Sequence, residues 1–185
     1  MTFAILGGIV LLAGIYLISL YNRMVSDRQT VDSAWSDIDV QLKRRYNLIP
    51  NLVETVKGHA RHERETLDSV VEARAQAVSN TGTPAQQAAS EGQLNLALRG
   101  MLAIAENYPD LKASENFRTL QSQLADIETA IQAARRYFNG AVRQFNTRIG
   151  QFPGNLIAGR FGFQEAEYFE LPETSAARDP VAVKF

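Results

Sequence analysis

His59, His62 and Glu63, in the run GHARHERE at residues 58–65, are the side chains best suited to hold a metal ion. On a helix His59 and Glu63 would share a face at four-residue spacing. Di-metal centres in helical bundles draw Glu-x-x-His pairs from several helices, and no such pair occurs. The HExxH zinc pattern is also broken, because HERET ends in threonine. A solvated polar face is therefore the expectation, with no metal and no cofactor. Lys43, Arg44 and Arg45 form a second cluster with a use in chemistry, contact with phosphate or acidic headgroups. On a straight helix they lie about 30 Å beyond residue 21, too far for headgroups met by the same chain, so a solvated face is expected here too. Asp37 and Asp39 are two residues apart, do not share a helix face, and make a poor acid/base pair. The chain has neither a Gly-rich phosphate loop nor a nucleophile elbow, and no cysteine. That last absence excludes thiol catalysis, disulfide staples and cysteine-bound zinc. A net charge of −1 and a pI near 6.1 give no basic surface for nucleic acid. Catalysis is not expected.

The elements that would carry these residues begin with a membrane anchor over residues 1–21. Residues 3–20, FAILGGIVLLAGIYLISL, carry no charge and as a helix rise about 27 Å, close to the thickness of a bilayer core. Tyr16 and Tyr21 mark its far end. A cleaved signal peptide is the competing reading, but it wants a basic start and a small-x-small site, and neither is present. Ala4, Gly7, Gly8 and Gly14 fall largely on one face. They either let membrane helices approach closely or are ordinary glycine content. Arg23 and Arg28 follow the segment and no cation precedes it, which leans toward a cytoplasmic body.

Residues 22–152 read as an antiparallel helical bundle. Val31, Trp35, Ile38, Leu42, Ile49, Leu52 and Val56 step by three or four, with one position skipped near Arg45 and Tyr46; the pattern resumes through Leu67, Val70 and Ala77. NTGTPA at 80–85 signals a turn. A second helical stretch covers about 86–107, with Leu94, Leu98, Met101, Leu102 and Ala105 on one face. The third is the most regular. Phe117, Leu120, Leu124, Ile127, Ile131, Ala134, Phe138, Ala141, Phe145 and Phe152 repeat at the same spacing, missing a step at Arg148, with Ser114 as the N-cap. A coiled-coil-like seam of this length needs partners throughout, and short turns force antiparallel neighbours. The expected core is Trp35, Ile38, Leu42, Ile49, Leu124, Ile131, Phe138 and Phe145. Pro50 interrupts none of this periodicity, which favours a continuous, kinked helix over a restart capped by Asn47. Gly58 is expected to add a second bend.

The tail, residues 153–185, differs in kind. Phe161, Phe163, Tyr168 and Phe169 are expected to fix it to a bundle, its own or a neighbour's. The last residues, with Val181 and Val183 alternating before Phe185, either fray or add a strand to a PDZ-type partner.

Residues 34–67, AWSDIDVQLKRRYNLIPNLVETVKGHARHERETL, closely resemble the signature block of the bacterial LemA family. ARRYFNGAVRQFNTRIGQFP and GFQEAEYFE resemble the family's later segments, so the likeness extends from about residue 20 to 170. It implies a short amino terminus outside the inner membrane, one membrane helix, and a body built as an antiparallel four-helix bundle. No catalytic residue can be carried over. Relatives are linked with membrane organisation. Together with the residue-level reading, this implies an all-α, single-pass scaffold that self-associates in the lipid bilayer. The alternative is a monomeric or dimeric adaptor that presents its tail to a protease or PDZ-type domain.

Overall fold

A computed structural model of the chain describes residues 1–170, whose regular elements are helices, with no strand among them. In order, the helices are α1 (Thr2–His59), α2 (Arg64–Ser79), α3 (Pro84–Ala105), α4 (Pro109–Ala113), α5 (Glu115–Gly150) and α6 (Gly154–Phe161). Val181, Val183 and Phe185 lie outside the described residues. The chain forms two compact units, and α1 and α5 contribute to both. Unit 1 combines Met1–Lys43 with Glu128–Tyr168; unit 2 is Arg44–Ile127 with Phe169.

Unit 1 is an antiparallel pairing of α1 with α5, closed by α6. Met24, Val31, Ala34, Ile38 and Leu42 of α1 are buried, as are Ile131, Phe138, Val142, Phe145 and Ile149 of α5. Trp35 is half-buried rather than central, and its ring lies 5.4 Å from that of Phe138. Along α5 the buried row runs through Val142 and Ile149, not Ala141 and Phe152. The helix stops at Gly150, so Phe152 falls off the seam and is 79% exposed. Gly154 lets α6 come close. A Cβ there would lie 2.2 Å from the Arg148 carbonyl oxygen and 2.8 Å from Met24 Cε. Gly162, at φ 74°, supplies the left-handed residue that ends α6.

Unit 2 assembles four helical segments, the end of α1, α2, α3 and the start of α5, with α4 as a connector. Arg74 meets Tyr46, Thr66 lies against Gly100, and Gln87 meets Ala77, so successive helices run antiparallel. Asn116 of α5 donates to the Thr55 hydroxyl at 3.2 Å, which sets α5 beside α1. Ile49, Leu52, Val56, Leu67, Val70, Leu94, Leu98, Met101 and Leu124 make the apolar core, and Phe169 is also buried.

Where the chain turns is set by local chemistry. α1 does not continue to Ala77: it ends at His59, one residue past Gly58, and α2 restarts at Arg64. Gly58 therefore sits at a terminus, where glycine's low helix propensity is harmless, and not at a bend. α3 opens with a full capping box. The Thr83 hydroxyl accepts from the Gln86 amide while the Gln86 side chain accepts from the Thr83 amide, with Pro84 following the cap. Ser114 Oγ accepts from the Phe117 amide at 3.5 Å ahead of α5.

Candidate functional site

Pro50 lies inside α1, and the helix passes through it. A proline has no amide to give the carbonyl four residues back, so the Tyr46 carbonyl loses its helical donor. In unit 2 that carbonyl accepts instead from Arg74 Nε of α2, at 2.8 Å. The proline thus does not break the helix; it frees an acceptor that ties α1 to its neighbour.

One turn away lies a buried polar cluster. Arg45 and Glu91 are each 1% exposed and form an ion pair. The Tyr46 hydroxyl donates to Glu91 Oε1. Gln87 Nε2 donates to the same oxygen at 2.9 Å and to the Tyr46 oxygen at 3.1 Å. Arg45 also donates to Asn95 Oδ1 at 2.7 Å. This corrects the expectation of a solvated KRR face. Lys43 does stay outside, paired with Asp39 at 2.6 Å, and Arg44 lines a shallow cleft with Asn47, Asn51, Gln123 and Asp126. Arg45 turns inward because position 45 lies on the seam between Leu42 and Ile49. A charge there is tolerated only when a partner and further donors surround it. Its members bond to one another across α1 and α3, which holds the two helices in register.

Unit 1 repeats the device. Asp27, on the α1 seam between Met24 and Val31, is 7% exposed. It is paired with Arg148 and accepts from Gln144 Nε2 at 2.8 Å. The missing apolar steps at Arg45 and Arg148 thus each mark a place where α1 joins a buried ion pair.

The other chemistry-capable residues do not converge. His59 Nδ1 is 3.1 Å from the Thr55 carbonyl oxygen, and His62 is exposed. Glu63 accepts from the Tyr108 hydroxyl at 3.3 Å. Burial, and then the Glu63 carboxylate, push the Tyr108 phenol above its usual range. Among the described residues no three His, Asp or Glu side chains gather as a metal site would require.

The remaining candidate surface is apolar. Within α1 an 18-residue window is long and apolar enough to cross a membrane, and none of it is buried by the rest of the chain. A Cβ placed at Gly7, Gly8 or Gly14 would meet nothing within 4 Å; Ala4 is exposed on the same stretch. Where this segment ends, the tail folds back onto it. The Tyr21 ring lies 4.8 Å from that of Phe161 and 5.8 Å from that of Phe163, and Phe163 reaches Phe145 at 6.2 Å. Asn146 fixes the strap by donating to and accepting from the backbone of Ala166, at 2.9 Å each way. Phe161 and Phe163 therefore contact their own chain, Tyr168 is half-buried, and Phe161 remains 61% exposed.

The chain is similar to the magnetosome proteins MamQ 2 of Paramagnetospirillum magneticum and MamQ of Magnetospirillum gryphiswaldense. Each is 25% identical over 89% of this chain and 69% of its own length. It is also similar to Protein LemA of Metamycoplasma hominis, 26% identical over 82% of this chain and 69% of that protein. These names are not those of enzymes. The LemA family model matches residues 34–185, most of the molecule, and the chain belongs to the LemA family.

Proposed function

We propose that this protein is a membrane-anchored, self-associating helical scaffold that organises a membrane and performs no catalysis. The observation that carries the reading is the unburied apolar stretch of α1. Ten large side chains between Phe3 and Ile18 (Phe3, Ile5, Leu6, Ile9, Val10, Leu11, Leu12, Ile15, Leu17 and Ile18) are 46% to 88% exposed. At about 1.5–3 kcal/mol per side chain fully removed from water, their transfer is worth on the order of 10–20 kcal/mol. Only a bilayer or other copies of the same helix offer that much apolar surface.

Self-association rests on the open face of Ala4, Gly7, Gly8 and Gly14. Small residues along one face let membrane helices come close enough for backbone contact. The body is assigned to the cytoplasmic side of a bacterial inner membrane, since Arg23 and Arg28 follow the segment and no Lys or Arg precedes it. The family membership and the membrane segment support a structural role. Polar clusters whose members pair with one another inside each unit fit a scaffold better than an active site.

Replacing Gly7 and Gly14 together by Ile tests the association. The double variant should show a smaller mass than wild type in mild detergent, with helix content unchanged. An unchanged mass would refute packing through that face.

A further inference from the structure

We infer that α6 is a membrane-surface helix, seated in the headgroup region of the same bilayer that holds the start of α1. The inference rests on the membrane-spanning reading above and extends it to a second contact. Its basis is position. Phe161, at the end of α6, stacks on Tyr21, and Gly154, at its start, lies against Met24. Tyr21 directly follows the uncharged run 3–20, and Met24 lies about 5 Å further along the helix axis. Hence α6 lies across the turn of α1 that leaves the hydrocarbon core.

Its two faces differ accordingly. Gly154, Ile157 and Ala158 are buried against the bundle. On the other side, Leu156 is 64% exposed, and the flanking Phe152 and Phe161 are 79% and 61% exposed. Three large apolar side chains left open within ten residues are a liability in water. At the membrane boundary they are what an interfacial helix uses, entering about 5–10 Å into the headgroup and acyl region. Cations accompany them. Arg23 lines a cleft of about 290 Å³ with Tyr16, Leu20 and Phe152, and Arg160 is exposed in the last turn of α6. Arginine beside exposed aromatics suits phosphate headgroups over acyl chains. The apolar patch is also continuous with the spanning segment, which favours the bilayer over a protein partner.

The chain has no cysteine, so single-cysteine labelling of the full-length protein is direct. An environment-sensitive fluorophore is placed at Leu12→Cys in the span, Leu156→Cys on α6, and Gln132→Cys on the exposed face of α5. Each protein is reconstituted in phosphatidylethanolamine–phosphatidylglycerol vesicles, with and without lipid brominated in the upper acyl chain. The inference predicts loss of fluorescence to brominated lipid at Leu12 and at Leu156, and none at Gln132. Loss at Leu12 alone would overturn the docking of α6 and leave the span intact. A blue-shifted but unquenched Leu156 label would overturn it in favour of a second copy covering the helix. No quenching at either site would overturn the span and the docking together.

Discussion

Replacing Glu91 by Leu is the sharpest perturbation of the account of unit 2. The substitution leaves the Arg45 guanidinium, 1% exposed, without its counter-charge, and it removes the acceptor of the Tyr46 hydroxyl and the Gln87 amide. Stranding one member of a buried pair costs about 3–5 kcal/mol. A domain of this size has roughly 5–15 kcal/mol in all, so most of the margin of unit 2 is at stake. Arg45→Met combined with Glu91→Leu removes both charges and should recover most of the loss, because two buried ions no longer need compensation. Amide exchange followed by mass spectrometry in mild detergent localises the effect. In peptides from α3, 3–5 kcal/mol corresponds to exchange faster by about two to three and a half orders of magnitude. The double variant should return close to wild type. An increase of less than tenfold in the single variant, or a double variant as loose as the single, would refute the reasoning.

Two further perturbations probe the helix contacts. Arg74→Ala should cost about 1.5–3 kcal/mol, the range for a hydrogen bond from a charged donor. In a Pro50→Ala background the loss should shrink, since the restored amide at position 50 satisfies the Tyr46 carbonyl; denaturation midpoints that add within about 0.5 kcal/mol would contradict that link. Ultraviolet difference titration of wild type against Tyr108→Phe should place ionisation of Tyr108 above the ordinary 10.0, and Glu63→Gln should lower it. Because the folded state raises this pKa, the group's contribution to stability is intact below about pH 10 and drains away as pH rises through the folded value.

Much of this architecture was legible because a helical bundle writes itself in one periodicity. The row from Ile38 to Val56 is buried as its spacing requires, and so are Leu120, Leu124, Ile127, Ile131, Phe138 and Phe145 of α5, while Ala134 and Ala141 are only half-buried. The departures share a physical origin. Apolar spacing cannot report a charge that is buried because it is paired, so Arg45 looked like part of a solvated run, and its partner Glu91 lies on another helix 46 positions away. The signal available was the gap itself: a seam position that stays on the inner face must be filled by something. The break between α1 and α2 was hidden for a related reason. Ala60 and Leu67 continue the apolar phase across it, while Gly58 and the polar ARHE run were the local hints of a stop. Thr83 and Gln86 carry a capping-box signature that dates the start of α3 to residue 84. The strap over Tyr21 was half legible. The aromatics promised packing, but whether Phe163 met its own chain or another depended on Gly162 turning α6 back toward Phe145.

The central claim, that these anchored bundles assemble, is tested most directly by the mass of the full-length protein in mild detergent with residues 1–21 retained. The account predicts one discrete species of several copies, as a closed symmetric assembly requires. A monomer that persists at every protein concentration would contradict it.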